Sequence, residues 1–338
     1  MNTGNELENT RVKFADWALQ WLEVYKKGMV KDNSYWGTYY NPAVKHLIPF
    51  FGDMYLDEIK PMDLQLFFKT KGKTNALETL KKMKACLRSI FDTAVENDLC
   101  RKNPVTRNIK LKSSIQSVQK QAYTKEQFDI VMDFANKHKD GLDIMVLLET
   151  AISRSELLGL RWENIDYANN VIYVNQGTVT QRNTETLEWQ IVTDGLKNQY
   201  RQRVIPISTE LCEKLYKKPH SIYVGGNAKK GTLPKKVVTE FVFHSPTGKV
   251  FSPDNWHKRV YMPFFNAMHE AHPEVPILRA HELRHTRATL WYEDEVNLLT
   301  IAYLCGWTDL KMLRKRYAHV NIKNLRKDLN MNARQFVP

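Results

Sequence analysis

The chain has 338 residues, more than a single hydrophobic core usually serves, and 43% of them are hydrophobic, so two domains with real cores are expected. Fifty Lys and Arg against 37 Asp and Glu leave a formal charge of +13, which favours a polyanionic partner over a small acidic substrate. No apolar run approaches a membrane span, and the polar start from Asn2 to Glu8 lacks the hydrophobic core of a signal peptide, so nucleic acid fits better than an anionic membrane.

In chain order, Phe14, Trp17, Ala18, Trp21, Leu22 and Tyr25 place an apolar stripe on one face of a first helix. A second helical segment is expected from near Ser34 to Phe50, Phe51 and Gly52. A third begins after Pro61, since proline suits a first helical turn. A fourth, from about Asn75 to Asn97, carries Leu77, Leu80, Met83, Leu87, Ile90, Phe91 and Ala94 at helical spacing. Together these form a small all-helical module over residues 1–106.

Between Leu99 and Lys125 stand seven basic residues (Arg101, Lys102, Arg107, Lys110, Lys112, Lys120 and Lys125) and no acidic one. The stretch reads as an exposed basic linker, assigned to 107–122, that either lies along phosphates or is simply solvated. A second domain, 123–338, opens where Thr124 stands as a helix cap with Gln127 at the capping-box position. Four short β-rich runs follow, Val171–Val174, Gly177–Thr180, Trp189–Val192 and Arg203–Ile207, and predict a small antiparallel sheet. Apart from a loop rich in Gly and Lys at Gly225–Lys236, the remainder reads helical. Cys86, Cys100, Cys212 and Cys305 lack metal-ligand or disulfide spacing, as in a reducing cytosol.

Near the C-terminus, His281, Arg284 and His285 are followed by Leu304, Cys305, Gly306 and Trp307, and then by Arg316, Tyr317 and His319. Arg284 stands three residues after His281, and Trp307 ten before Tyr317. A tyrosine attacking a phosphodiester needs guanidinium and imidazole donors around phosphorus, because the transition state gathers negative charge on the non-bridging oxygens. The ordered set resembles the active site of the tyrosine recombinases, or phage-type integrases. The leading segment resembles their helical core-binding domain, with Phe51-Gly52-Asp53, Leu56-Asp57-Glu58-Ile59 and Asn103-Pro104 as landmarks.

The resemblance covers nearly the whole chain. It implies a mainly α fold with a small antiparallel β-sheet, in which a helical SAM-like core-binding domain is joined to a mixed α/β catalytic domain. Tyr317 would be the nucleophile, forming a 3′-phosphotyrosine, with Arg284 binding a non-bridging oxygen through its planar fork. His281 would accept a proton or donate to the phosphate, and His285 and His319 would support. Trp307 takes the place where family members carry His or Trp; its indole can donate a hydrogen bond but cannot exchange a proton. Lys197, between Leu196 and Asn198, resembles the hairpin lysine that protonates the departing 5′ oxygen, though a phosphate contact is an alternative role.

One motif departs from the family. In the segment from Thr150 to Trp162 the catalytic arginine normally stands three residues before Glu156, and here that place is Ser153. Arg154 is the evident substitute, yet a shift of one helical residue turns a side chain by about 100°. Either Arg154 serves or the site lacks one cationic clamp.

The expected function is that of a mobile-element integrase working on double-stranded DNA recombination sites in the cytoplasm, associated with the nucleoid. A homotetramer on synapsed DNA, an accessory directionality factor, and no metal or nucleotide cofactor are also implied. Only a short segment precedes the first helix, so no further arm-binding domain is expected. Leu325, Leu329 and Phe336 would dock either on a neighbouring protomer or back on their own domain. A chromosome-dimer resolvase, a type IB topoisomerase and a catalytically weakened DNA-binding regulator remain alternatives. Whichever holds, the charge predicts DNA binding that weakens steeply with salt, at a slope of about −0.9 in log K against log salt per neutralised phosphate. Titrations at several salt concentrations measure it, and a flat response counts against a phosphate-tracking surface.

Overall fold

The computed structural model describes residues 11–116, 121–195, 202–226 and 232–307. Two compact units emerge, one comprising Met1–Gln119 with Gln181–Gln190, the other Lys120–Thr180 with Ile191–Pro338.

The first unit is helical. Helix α1 (Phe14–Trp21) buries Phe14, Trp17, Ala18 and Trp21, the face expected from their spacing, and continues as a wider π turn over Leu22–Lys26. The indole N–H groups of Trp17 and Trp21 reach α5 (Leu77–Glu96), donating to the Ile90 carbonyl (3.1 Å) and Thr93 Oγ1 (3.3 Å). Large buried indoles thus keep their polar atoms satisfied. Between them, α2 (Asp32–Ser34) and α3 (Ile48–Phe51) flank two π-helical stretches, Tyr35–Tyr40 and Ala43–Leu47. Pro42 and Pro49 remove backbone donors from this run, consistent with its departure from one regular helix. Helix α4 (Pro61–Lys71) starts on its proline as expected, and α5 buries Leu80, Met83, Leu87, Ile90, Phe91 and Ala94.

Part of the stretch expected as an exposed linker is tied down on this unit. Gln65 Nε2 donates to the Lys110 carbonyl (3.0 Å), the Lys110 N–H returns to Gln65 Oε1 (2.9 Å), and Lys84 donates to the Ile109 carbonyl. Ile109 is buried and Leu111 packs on the core. The basic side chains outnumber these two apolar anchors, which is why composition alone reads as solvated chain. Residues 181–190 also belong to this unit: the Trp36 indole donates to the Arg182 carbonyl (2.7 Å), and Thr184 Oγ1 to Asp32 Oδ1 (2.8 Å).

In the second unit, α6 (Lys125–Lys137) opens with the expected box: Thr124 Oγ1 accepts from the Gln127 N–H, and Gln127 Oε1 from the Thr124 N–H. Helix α7 (Gly141–Thr150) is almost wholly buried, and a short α8 (Arg154–Gly159) follows. A three-stranded antiparallel sheet has the order β1 (Ile165–Asp166), β2 (Val171–Val174), β5 (Arg203–Pro206). Ile165 pairs with Ile172, Ile172 with Ile205, and Val174 with Arg203. Strands β3 (Gln176–Arg182) and β4 (Trp189–Gly195) make a separate hairpin, so the four expected runs divide between two sheets.

After α9 (Thr209–Lys217) comes a further pair, β6 (Ser221–Val224) and β7 (Lys235–Val238), where helix and loop were expected. Each strand is four residues long, too short for its alternation to stand out beside the Gly- and Lys-rich segment it flanks. Helices α10 (Pro253–Trp256), α11 (Met262–Ala271), α12 (Ala280–Glu293) and α13 (Leu298–Leu304) complete the described fold. Among the described residues no helix is long and apolar enough to cross a membrane. The four cysteines are free and buried.

Asp143 is the unusual core residue. Burial pushes its carboxyl up to about 6, although the Trp256 indole donates to it at 2.6 Å. A raised carboxyl pKa contributes stability that is present below the unfolded value and lost as pH rises through the folded one. Wild type should therefore lose up to about 3 kcal/mol between pH 4 and pH 7 from this group. Asp143→Asn keeps an acceptor for Trp256 and should remove that loss. Urea unfolding of both proteins across this range reads the effect, and a stability gap that ignores pH would count against it.

Candidate active site

Helix α7 ends at Ala151, whose left-handed backbone (φ 53°) turns the chain sharply into α8. Ser153 caps that helix. Its Oγ accepts from the Glu156 N–H (3.3 Å) while Glu156 Oε2 accepts from the Ser153 N–H (2.7 Å), a reciprocal cap that an arginine side chain could not complete. The end of α8 lies close to β3: a Cβ on Gly159 would meet Gly177 Cα at 3.0 Å.

Glu156 does more than cap. Its Oε1 accepts from Arg203 Nη1 (3.0 Å), and its Oε2 from both Arg203 Nη2 (3.1 Å) and Arg284 Nη1 (3.1 Å). All three side chains are almost fully buried. Strand alternation explains Arg203: it shares the inward phase with buried Ile205, and Val174, its partner across the ladder, is buried too. A guanidinium held there must be paired or it would be prohibitively costly. Burial by itself would raise the Glu156 carboxyl, but the Arg203 bonds, the charges of Arg203 and Arg284 and the Ser153 N–H bring it down to about 2. It is therefore ionised at neutral pH. Two guanidinium groups thus share one carboxylate in a low-dielectric setting.

Helix α12 presents the remaining groups. Arg284 is buried at its centre, while His281 is exposed. The Nε2 atoms of His281 and His285 lie 3.1 Å apart, so one must be bare to accept the proton of the other. Trp307, just past α13, lies with its ring centroid 5.7 Å from the Arg284 guanidinium and 6.0 Å from the His285 ring. A small cluster of Ala151, Ala288, Trp291, Ile301, Ala302 and Cys305, with Trp307 packed against it, joins the α7–α8 turn to α12 and α13. Among the described residues no group of side chains is suited to hold a metal ion.

Of the expected site residues, then, Arg284 and Trp307 lie side by side, His281 stands on the same helix paired with His285, and Arg154 opens the helix that carries Glu156. Lys197 and Tyr317 lie outside the described residues. The sequence reading missed Arg203 and the pairing role of Glu156. The signal for both was present: an arginine in the buried phase of a strand calls for a buried carboxylate.

This constellation lies wholly within the mixed α/β unit that follows the helical one in the chain. The model of the phage integrase family matches residues 121–324, and its N-terminal SAM-like domain matches 13–71. The chain belongs to the phage integrase family. It is 26% identical over 275 residues to the transposase of transposon Tn916 from Enterococcus faecalis, covering 78% of this chain and 64% of that protein. It thus spans under two thirds of the length of that curated relative. The Tn1549 transposon integrase in complex with transposon right end DNA superposes with a TM-score of 0.76 at 22% identity, covering 96% of this chain and all of the other. A lambda integrase tetramer bound to a Holliday junction gives 0.60 at 16% identity, covering 90% and 77%.

With Ser153 at the family's arginine position, Arg154 is the candidate for a second cationic clamp. Arg161 is engaged by Glu240 (3.4 Å) and Glu163 (4.0 Å), and Arg203 is sealed on Glu156. The half-buried Arg154 side chain has no hydrogen bond or ion pair among the described residues, which keeps it available for a phosphate. Arg154→Ala should therefore lower single-turnover DNA cleavage on the order of 10²-fold with affinity little changed, and Ser153→Arg should bring little gain. A near-wild-type rate for Arg154→Ala together with faster cleavage by Ser153→Arg would assign the clamp to position 153 instead.

Proposed function

We propose that this chain is a site-specific DNA recombinase of a mobile element, cleaving and rejoining double-stranded DNA through a 3′-phosphotyrosine. The observation that carries this reading is Arg284 bonded to buried Glu156 with Trp307 beside its guanidinium and the His281–His285 pair on the same helix, in a member of the phage integrase family with transposon enzymes among its relatives.

The proposed chemistry assigns each group one task. The Tyr317 oxygen attacks phosphorus while its proton passes to a neighbouring base, for which His281 is the candidate. Arg284 and Arg154 bind the non-bridging oxygens and gain strength as charge develops there. Trp307 positions the phosphate with its indole N–H and shields the site. Lys197 gives a proton to the 5′ oxygen as the P–O bond breaks. One phosphodiester is exchanged for another, so religation by a second 5′ hydroxyl needs no nucleotide cofactor.

Both units, the basic 107–122 stretch included, would contact DNA, in keeping with the +13 charge. Assembly as a tetramer on paired sites follows by analogy with the lambda integrase complex. An accessory directionality factor and a cytoplasmic, nucleoid-associated location belong to the same proposal. The transposon relatives favour a mobile element over a chromosome-dimer resolvase. A catalytically weakened DNA-binding regulator differs in one measurable respect, since it forms no covalent adduct. On a nicked suicide substrate the wild-type protein should become covalently attached, and Tyr317→Phe should lose the adduct while binding DNA as before. An adduct formed equally well by Tyr317→Phe would remove Tyr317 from the mechanism, and its absence from wild type would leave only the binding reading.

A further inference from the structure

We infer that Arg203 is a positioning residue for Arg284, acting from the sheet through two routes that converge on the same guanidinium. The inference rests on the recombinase reading above and adds a residue that this reading does not use. The first route is Glu156. Arg203 holds both carboxylate oxygens at 3.0 and 3.1 Å, and the oxygen bonded by Nη2 also accepts from Arg284 Nη1. A carboxylate held at one oxygen can swing about its χ torsions, whereas one gripped at both presents Oε2 to Arg284 in a single orientation.

The second route is α13. Arg203 Nε donates to the Leu304 carbonyl (2.7 Å), the last residue of that helix, and the neighbouring Val204 N–H donates to Tyr303 Oη (3.1 Å). Three residues later Trp307 lies against Arg284. Strand β5 thus fixes the end of α13, and α13 fixes the ring that borders the guanidinium. Arg203 itself touches no substrate, because its side chain is fully buried.

Lysine cannot replace this arginine. One ammonium on a flexible stem lacks the planar fork that spans two carboxylate oxygens while a third N–H serves the Leu304 carbonyl. Arg203→Lys keeps the charge, so it loosens Glu156 and α13 without leaving the carboxylate uncompensated.

The test uses the full chain and two suicide substrates, one with the natural scissile phosphate and one with a methylphosphonate at that position. The methyl group removes the negative charge that a well-placed guanidinium answers, so the neutral substrate is less sensitive to where Arg284 sits. On the phosphate substrate, Arg203→Lys should cleave slower than wild type by on the order of 10²-fold, and on methylphosphonate the two should agree to within about threefold, with DNA affinity equal. Equal fractional loss on both substrates indicates a general structural role and overturns the inference, as does an undiminished rate on phosphate. Tyr303→Phe, a half-exposed position, removes only the acceptor for the Val204 N–H and serves if Arg203→Lys does not fold. It should show a smaller loss on phosphate that disappears on methylphosphonate, and no loss on phosphate would then overturn the inference. Failure of the recombinase reading looks different: wild type itself forms no adduct on the phosphate substrate.

Discussion

The Glu156 carboxylate is the point on which the second unit's chemistry turns. It caps α8 through the Ser153 N–H, receives both arms of Arg203 from the sheet, and gives its remaining capacity to Arg284 on α12. Three elements far apart in sequence meet on two oxygens. Such a group is not chiefly a source of stability, since desolvating three charges offsets most of their attraction. Its consequence is geometric: with Glu156 ionised and held at both oxygens, Arg284 has one preferred position. Removing Glu156 would leave two buried guanidinium groups without their shared carboxylate, at a cost of about 3–5 kcal/mol.

The two guanidinium groups sit where water is excluded, so their charges are screened less than those of surface lysines. The surrounding groups have little freedom. Trp307 is held beside the guanidinium by the short α13, and the His281–His285 pair fixes how those two imidazoles share a proton. Ser153 departs from the family pattern, yet it keeps the local architecture intact, because a serine at an N-cap completes the reciprocal bond with Glu156.

Much of this was legible beforehand, and unevenly. The helices of the first unit are written in their apolar spacing, and the cap at Thr124 and Gln127 formed as its residues specify. Local signals of this kind survive because they depend on neighbours within a few residues. Strands β6 and β7 do not show in the sequence pattern, and the basic 107–122 stretch reads as an exposed linker although Ile109 and Leu111 anchor part of it. In those places the ordering comes from partners distant in sequence, and short alternation carries too little pattern to announce it.

The sequence by itself determined the family and the helical and mixed parts, and it singled out His281, Arg284 and Trp307, because their order and spacing are local features of one C-terminal stretch. Only the tertiary structure decided what holds Arg284 in place. Arg203 stands 81 residues before Arg284 and 47 after Glu156, and nothing in those intervals links them. Their meeting follows from the register that turns Arg203 inward opposite Val174, and from the turn at Ala151 that aims Glu156 at it. A buried charge finds its partner through folding, so its role cannot be read until the fold has brought that partner within bonding distance.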